Sequence, residues 1–123
     1  MTEINIFKHS KDARTVEPGE ALFRTGDNGD TMFAVVDGEV DLVLGDVVVE
    51  TVGAGGILGE LALIDHAPRS ADAIVRAKAN VVSIDQRQFT FLVHEHPTFA
   101  LQVMTIMAER LRKTNEGIGG HRV

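Results

Sequence analysis

Gly59-Glu60-Leu61-Ala62-Leu63-Ile64-Asp65-His66-Ala67-Pro68-Arg69-Ser70-Ala71 is the stretch on which the reading of this chain turns. It opens on a glycine, passes through about one helical turn, and returns an arginine just ahead of a run containing Ile and Val. A glycine lets backbone come close to a bound group. The short helix behind it begins with N–H groups that lack an intrahelical partner, which suits an anion. Arg69 carries a planar guanidinium that matches phosphate geometry and keeps its charge when water is removed. Glu60 repels an anion, but its carboxylate accepts hydrogen bonds from a sugar hydroxyl. On the residues alone, a loop salt bridge from Glu60 to Arg69 with no ligand fits the same spacing equally well.

Working outward, residues 15–84 alternate short Val-, Leu- and Ile-rich runs with turn chemistry. Met32, Ala34 and Val36 alternate with Phe33 and Val35, and Val40, Leu42 and Leu44 with Asp41 and Val43. Period-2 patterning of this kind predicts strands. Pro18-Gly19, Gly26-Asp27-Asn28-Gly29-Asp30, Asp37-Gly38, Gly45-Asp46 and Gly53-Ala54-Gly55-Gly56 predict the turns between them. Closely spaced short strands imply a β-sandwich or jelly-roll barrel. After Asp85 the period changes. Asp85 with Gln88 predicts a capping box and a helix from Gln86 to about His94. Pro97 suits the first turn of a longer helix reaching about Glu116, which Gly117, Gly119 and Gly120 end. The expected fold is α+β: one domain over 1–123, with an N-terminal segment (1–14), a β-barrel (15–84), C-terminal helices (85–116) and a tail (117–123).

Composition narrows the function. The chain has 123 residues, no cysteine and a formal net charge of −6. Absence of cysteine removes disulfides, thiolate metal sites and cysteine nucleophiles. An acidic chain without a basic block is a poor non-specific DNA binder, and a small anion would need a local positive site. No run approaches the ~18 apolar residues of a membrane span, and no signal peptide is read at the start, so a cytoplasmic location is expected. His94-Glu95-His96 has metal-like spacing but precedes Pro97 in an interhelical connection. A barrel metalloenzyme would need histidines on strands, whereas 15–84 contains only His66. No metal, no cofactor and no catalytic residues are expected, and Asp27, Asp30, Asp37 and Asp46 are expected as turn formers.

The quoted stretch resembles the phosphate-binding cassette of the cyclic-nucleotide-binding domain family, and every element of the Gly-Glu-Leu-Ala-Leu, gap, Pro-Arg-Ser-Ala pattern stands here. Pro18-Gly19-Glu20, Gly26-Asp27, Met32-Phe33-Ala34-Val35, Val36-Asp37-Gly38-Glu39-Val40 and Val75-Arg76-Ala77 extend the resemblance over nearly the whole chain. It implies an eight-stranded jelly-roll barrel, a short N-terminal helical segment and two C-terminal helices, the last one long. It also implies a ligand-sensing role, with a cyclic nucleotide as ligand. Arg69, Ser70 and Ala62 would bind the phosphate, Glu60 and Gly59 the ribose, while Leu61, Leu63, Pro68 and Ala71 pack the cassette. Cyclic AMP is favoured over cyclic GMP, although the Ser70 hydroxyl could do part of the guanine-reading work of a threonine.

The helix from Pro97 to Glu116 spreads Phe99, Leu101, Val103, Met104, Ile106, Met107, Ala108 and Leu111 over an arc of roughly 220°, wider than one packed face needs. Two surfaces therefore want burial: one against the barrel, the other expected against a second copy of this helix, a homodimer. Arg110-Leu111-Arg112-Lys113-Thr114-Asn115 resembles the end of the corresponding helix in the catabolite-activator branch of the family, which implies that Arg110, Thr114 and Asn115 contact the base. That branch's helix-turn-helix domain has no counterpart here, so direct DNA binding is not expected. The alternative function is a degenerate interaction module that works through the long helix on an effector protein the sequence does not name.

Overall fold

The computed structural model describes residues 2–117, with side chains described through Thr114. The elements run β1 (Arg14–Val16), β2 (Ala21–Phe23), β3 (Thr31–Leu44), β4 (Val47–Val52), β5 (Ile57–Leu58), α1 (Glu60–Asp65), β6 (Asp72–Asp85), α2 (Gln86–Glu95) and α3 (Pro97–Gly117). All strand pairs are antiparallel. Two long strands, β3 and β6, pair along most of their length. On its other edge β6 carries β1 and β2, and on its other edge β3 carries β4 and β5.

Six strands in one open sheet replace the expected eight-stranded barrel among the described residues. The difference lies at Asp37-Gly38, read from sequence as a turn. Gly38 sits inside β3 with φ 87°, and the register to β6 slips between Val35 and Val40. A Cβ at Gly38 would run into the backbone of Lys78 and Ala79, so glycine lets the strand bulge and bend without stopping. β6 likewise continues unbroken through Val75-Arg76-Ala77. The N-terminal segment also departs from expectation: it forms turns in place of a helix, with Lys8 N donating to Asn5 O and Ser10 N to Phe7 O.

The alternation in β3 sorts side chains between two cores. Phe33 and Val35 join Val16, Phe23, Leu58, Val75 and Val81 inside the bent sheet. Met32 and Ala34 point the other way, joining Leu63, Ile84, Phe99, Val103 and Ile106 beneath the helices. Both faces of the strand are therefore buried, and a one-residue slip would exchange the two sets. Phe99 is fully buried at the start of α3, with its ring 5.9 Å from Phe7 and 5.5 Å from Phe89. At roughly 25 cal/mol per Å², burying one such ring stabilises the helix-to-sheet docking by about 2–3 kcal/mol. The capping box stands as read: Gln88 N donates to Asp85 Oδ1 and Asp85 N to Gln88 Oε1.

Candidate functional site

The quoted stretch folds as a left-handed glycine, a six-residue helix and a loop that brings Arg69 back beside its own start. Gly59 caps α1 with φ 78°, and His66 closes it in the left-handed region, its N–H donating to Ala62 O. The return is tied by backbone: Arg69 N donates to Asp27 O at 2.9 Å, and Gly26 N donates to Arg69 O at 2.8 Å. Asp27 shapes that opposing turn by accepting from Arg24 N, and Asp72 holds it by accepting from Thr25 N and Oγ1. Those two bonds, backbone N–H first, hold the Asp72 carboxyl below its usual range.

Arg69 is buried, 6% exposed, and makes no ion pair among the described residues. One terminal nitrogen donates to Gly59 O at 3.1 Å and the other to Thr31 O at 2.7 Å. Its flat face lies 4.2 Å from the Phe23 ring centroid, a cation–π contact. The buried Nε–H has no partner among the described residues. A Cβ on Gly29 would sit within the guanidinium's own envelope, so that glycine clears room for it. Burial pushes the Arg69 pKa down, against Asp30, Asp27 and Glu60, whose charges hold it up.

Glu60 is buried too, 4% exposed, and its partner is not Arg69. Arg110 of α3 reaches across the cavity, donating from one terminal nitrogen to Glu60 Oε1 and from the other to Ile57 O. The same guanidinium grips Glu50 of β4, with Nε at 2.8 Å from Oε1 and a terminal nitrogen at 3.1 Å from Oε2. Burial works against the Arg110 charge, but the hydrogen bonds it donates to Glu50 and the charge of Glu60 outweigh it and raise the pKa.

A cavity of about 770 Å³ lies between these groups, within the roughly 300–1,000 Å³ common for small-molecule sites. It brings together Gly59, Glu60, Ala62, Arg69, Ser70 and Ala71 with Arg110 and Thr114 of α3. Its mouth adds Leu42, Leu44 and Val49 from β3 and β4, and Lys113. Thr114 Oγ1 donates to Arg110 O. Asn115 belongs to the last turn of α3, but its side chain lies outside the described residues. Of the packing positions only Leu63 is in the core; Leu61 and Pro68 are exposed at the cavity and Ala71 is half-buried.

Sequence reasoning missed Phe23, Thr31 and Glu50, and it read Gly29 only as a turn. Glu50 did leave a signal, being the one acid in the valine run of β4. Phe23 and Gly29 left none, because each acts on an arginine at least forty positions away.

The family described as Cyclic nucleotide-binding domain matches residues 13–96. Among curated relatives, a cyclic nucleotide-gated potassium channel of Rhizobium etli is 35% identical over 79% of this chain and 27% of its own length. The chain thus spans about a quarter of that relative. Among solved structures, the Thermus thermophilus catabolite activator protein superposes with a TM-score of 0.76 at 26% identity, over 86% of this chain and 52% of that one. A structure from work on a cyclic-GMP-dependent signalling pathway in bacterial phytopathogenesis gives a TM-score of 0.73 at 28% identity, over 87% and 90%.

Proposed function

The chain belongs to the cyclic nucleotide-binding domain family, and on that premise we propose that it is a non-catalytic cytoplasmic sensor of a cyclic purine nucleotide, cyclic AMP ahead of cyclic GMP. One observation carries the reading: among the described residues, a buried guanidinium on the cavity wall pairs with no carboxylate and keeps an unpartnered Nε–H. A single negative charge with several acceptor oxygens matches it, and a cyclic phosphate is such a group. Arg69 binds the exocyclic oxygens, helped by Ser70 and the N–H of Ala62. Glu60 accepts from the ribose 2′-hydroxyl where Gly59 lets the sugar approach. The base lies toward α3, against Thr114, Asn115 and Arg110.

Relay follows from the shared carboxylate. Arg110 ties α3 to Glu60 and Glu50, so a hydroxyl donating to Glu60 changes the hold on α3. Leu61, exposed at the cavity, has apolar area to bury when the cassette tightens. The ligand shifts the population of α3 positions only by its differential contacts in the two states. Calorimetry with both nucleotides tests capture: heat with cyclic AMP exceeding that with cyclic GMP is expected, and no heat with either at millimolar levels removes the proposal. Backbone NMR tests relay, with shifts expected in α3 as well as in 59–71.

A second reading rests on α3 itself. Leu101, Met104 and Leu111 are exposed, and with Ala108 they recur at heptad spacing on the face turned away from the sheet. A homodimer through this stripe, or an effector protein bound there, would cover it. Sedimentation should show a dimer that Leu111→Glu converts to monomer; a monomer at all concentrations leaves the effector as occupant.

A further inference from the structure

We propose that Phe23 is a positioning residue for the anion site: its ring face holds the Arg69 guanidinium away from Asp27 and Asp30 and so keeps it free for an incoming phosphate. The ligand rests on the nucleotide-sensor reading, the mechanism on the contacts of Phe23. β2 grips Arg69 twice. The turn after it fixes the arginine's backbone, with Arg69 N donating to Asp27 O and Gly26 N to Arg69 O. Phe23, the last residue of β2, fixes the side chain, for the guanidinium carbon lies 4.2 Å from the ring centroid. The ring is itself anchored: it is buried in the sheet core, with its centroid 6.0 Å from that of Phe33. Phe33 stands farther from the guanidinium, at 5.9 Å, close to the outer limit of about 6 Å for such a contact.

Charge gives the ring its role. Asp27 and Asp30 are exposed, act on the Arg69 charge from a distance, and make no ion pair among the described residues. Either one in contact would neutralise the charge that a phosphate is to meet. Asp27 is committed to its turn, since its carboxylate accepts from Arg24 N. Asp30 is therefore the stronger competitor, and of the acids it acts most on Arg69. An aromatic face attracts a desolvated cation through its quadrupole yet brings no counter-charge. Phe23 thus stabilises Arg69 where burial works against the charge, and leaves the pairing site open. An aliphatic side chain would fill the space without that attraction, and Arg69 would turn toward the acids.

Calorimetry with cyclic AMP on the full chain is the test. Phe23→Leu should weaken binding by roughly three- to thirtyfold. Phenylalanines carrying one, two or three ring fluorines in place of Phe23 keep the core filled while draining charge from the ring face, and they should weaken binding stepwise. The same series at Phe33 should do less. Asp30→Asn should recover affinity in the Phe23→Leu protein by at least about threefold more than it adds to the parent, because the two sites are coupled through Arg69.

A loss below about twofold in Phe23→Leu, flat affinity across the fluorinated series, or equal gains from Asp30→Asn in the two backgrounds would each overturn the proposal. The fluorinated rings decide the matter if leucine disturbs the fold. Guanidinium NMR of the ligand-free protein separates this result from the nucleotide reading. The Arg69 Nε–H, buried in the parent, should exchange slowly with water and faster in Phe23→Leu, and adding Asp30→Asn should slow it again. Were cyclic AMP not to bind the parent, the sensor reading would fall, while the order of exchange rates would still decide whether Phe23 holds Arg69. Equal exchange in the parent and in Phe23→Leu rejects that hold.

Discussion

Arg69 and Arg110 line one cavity and meet opposite electrostatic fates. Arg69 is held by two carbonyl oxygens and an aromatic face, with burial lowering its pKa and no acid in contact. Arg110 is clasped by two carboxylates that raise its pKa despite burial. A guanidinium clasped by carboxylates gains little from an incoming anion, whereas one in contact only with carbonyl dipoles and a ring, its acids acting from a distance, gains a charge-assisted pair. The two ends therefore divide the work. On the proposed function the Arg69 end would supply binding energy, while the Arg110 contacts connect β4, the cassette and the long helix.

The sharpest way to break this division is Arg69→Ala. It should weaken cyclic nucleotide binding by about 2–5 kcal/mol, roughly 30- to 3,000-fold, measured by calorimetry. A loss below about threefold would place the phosphate elsewhere. Arg110→Ala should act on stability, since it leaves Glu60 buried without its partner. With Arg110 21% and Glu50 28% exposed, the cost is discounted from that of a fully buried pair to about 1–3 kcal/mol. The Tm should fall by on the order of 5–10 °C in a thermal melt. Equal effects of the two variants on both readouts would erase the distinction.

Gly29→Ala sharpens the comparison without touching either arginine. No left-handed φ is required at Gly29, but the added methyl group would displace Arg69. Affinity should drop about tenfold with a nearly unchanged melting curve, because geometry at the phosphate end is lost while the fold stays. The smallest effect is expected at Asp72. Its folded pKa is depressed, so its contribution is present above the unfolded carboxyl value near ~3.9 and is lost as pH falls through the lower folded value. Asp72→Asn should therefore lower Tm slightly near neutral pH, and the gap from the parent should close as the melts are repeated into that acid range.

The apparent simplicity of the β region is where sequence reading went astray. Asp37-Gly38 has turn chemistry, yet the chain bulges there and continues, because Gly38 lies against the backbone of Lys78 and Ala79. A glycine in the left-handed region serves a hairpin and a bulge equally well, and only the paired strand distinguishes them. Similarly, Glu60 and Arg69 sit in one loop, and proximity along the chain made them candidates for each other. The fold gives Glu60 to Arg110, fifty positions away, and leaves Arg69 without an acid.

What the sequence determined by itself was local. Side-chain alternation set which face of β3 each residue serves, Asp85 and Gln88 set the start of α2, and Gly59 with Arg69 set the cassette loop, because each depends on neighbours within a few residues. The tertiary structure decided every charge assignment in the cavity and the clearances around Arg69, since Gly29, Phe23, Glu50 and Arg110 meet there only after the sheet has bent and α3 has docked. Coulomb and contact energies follow distance in space, and spacing along the chain does not encode that distance once it passes a turn or two.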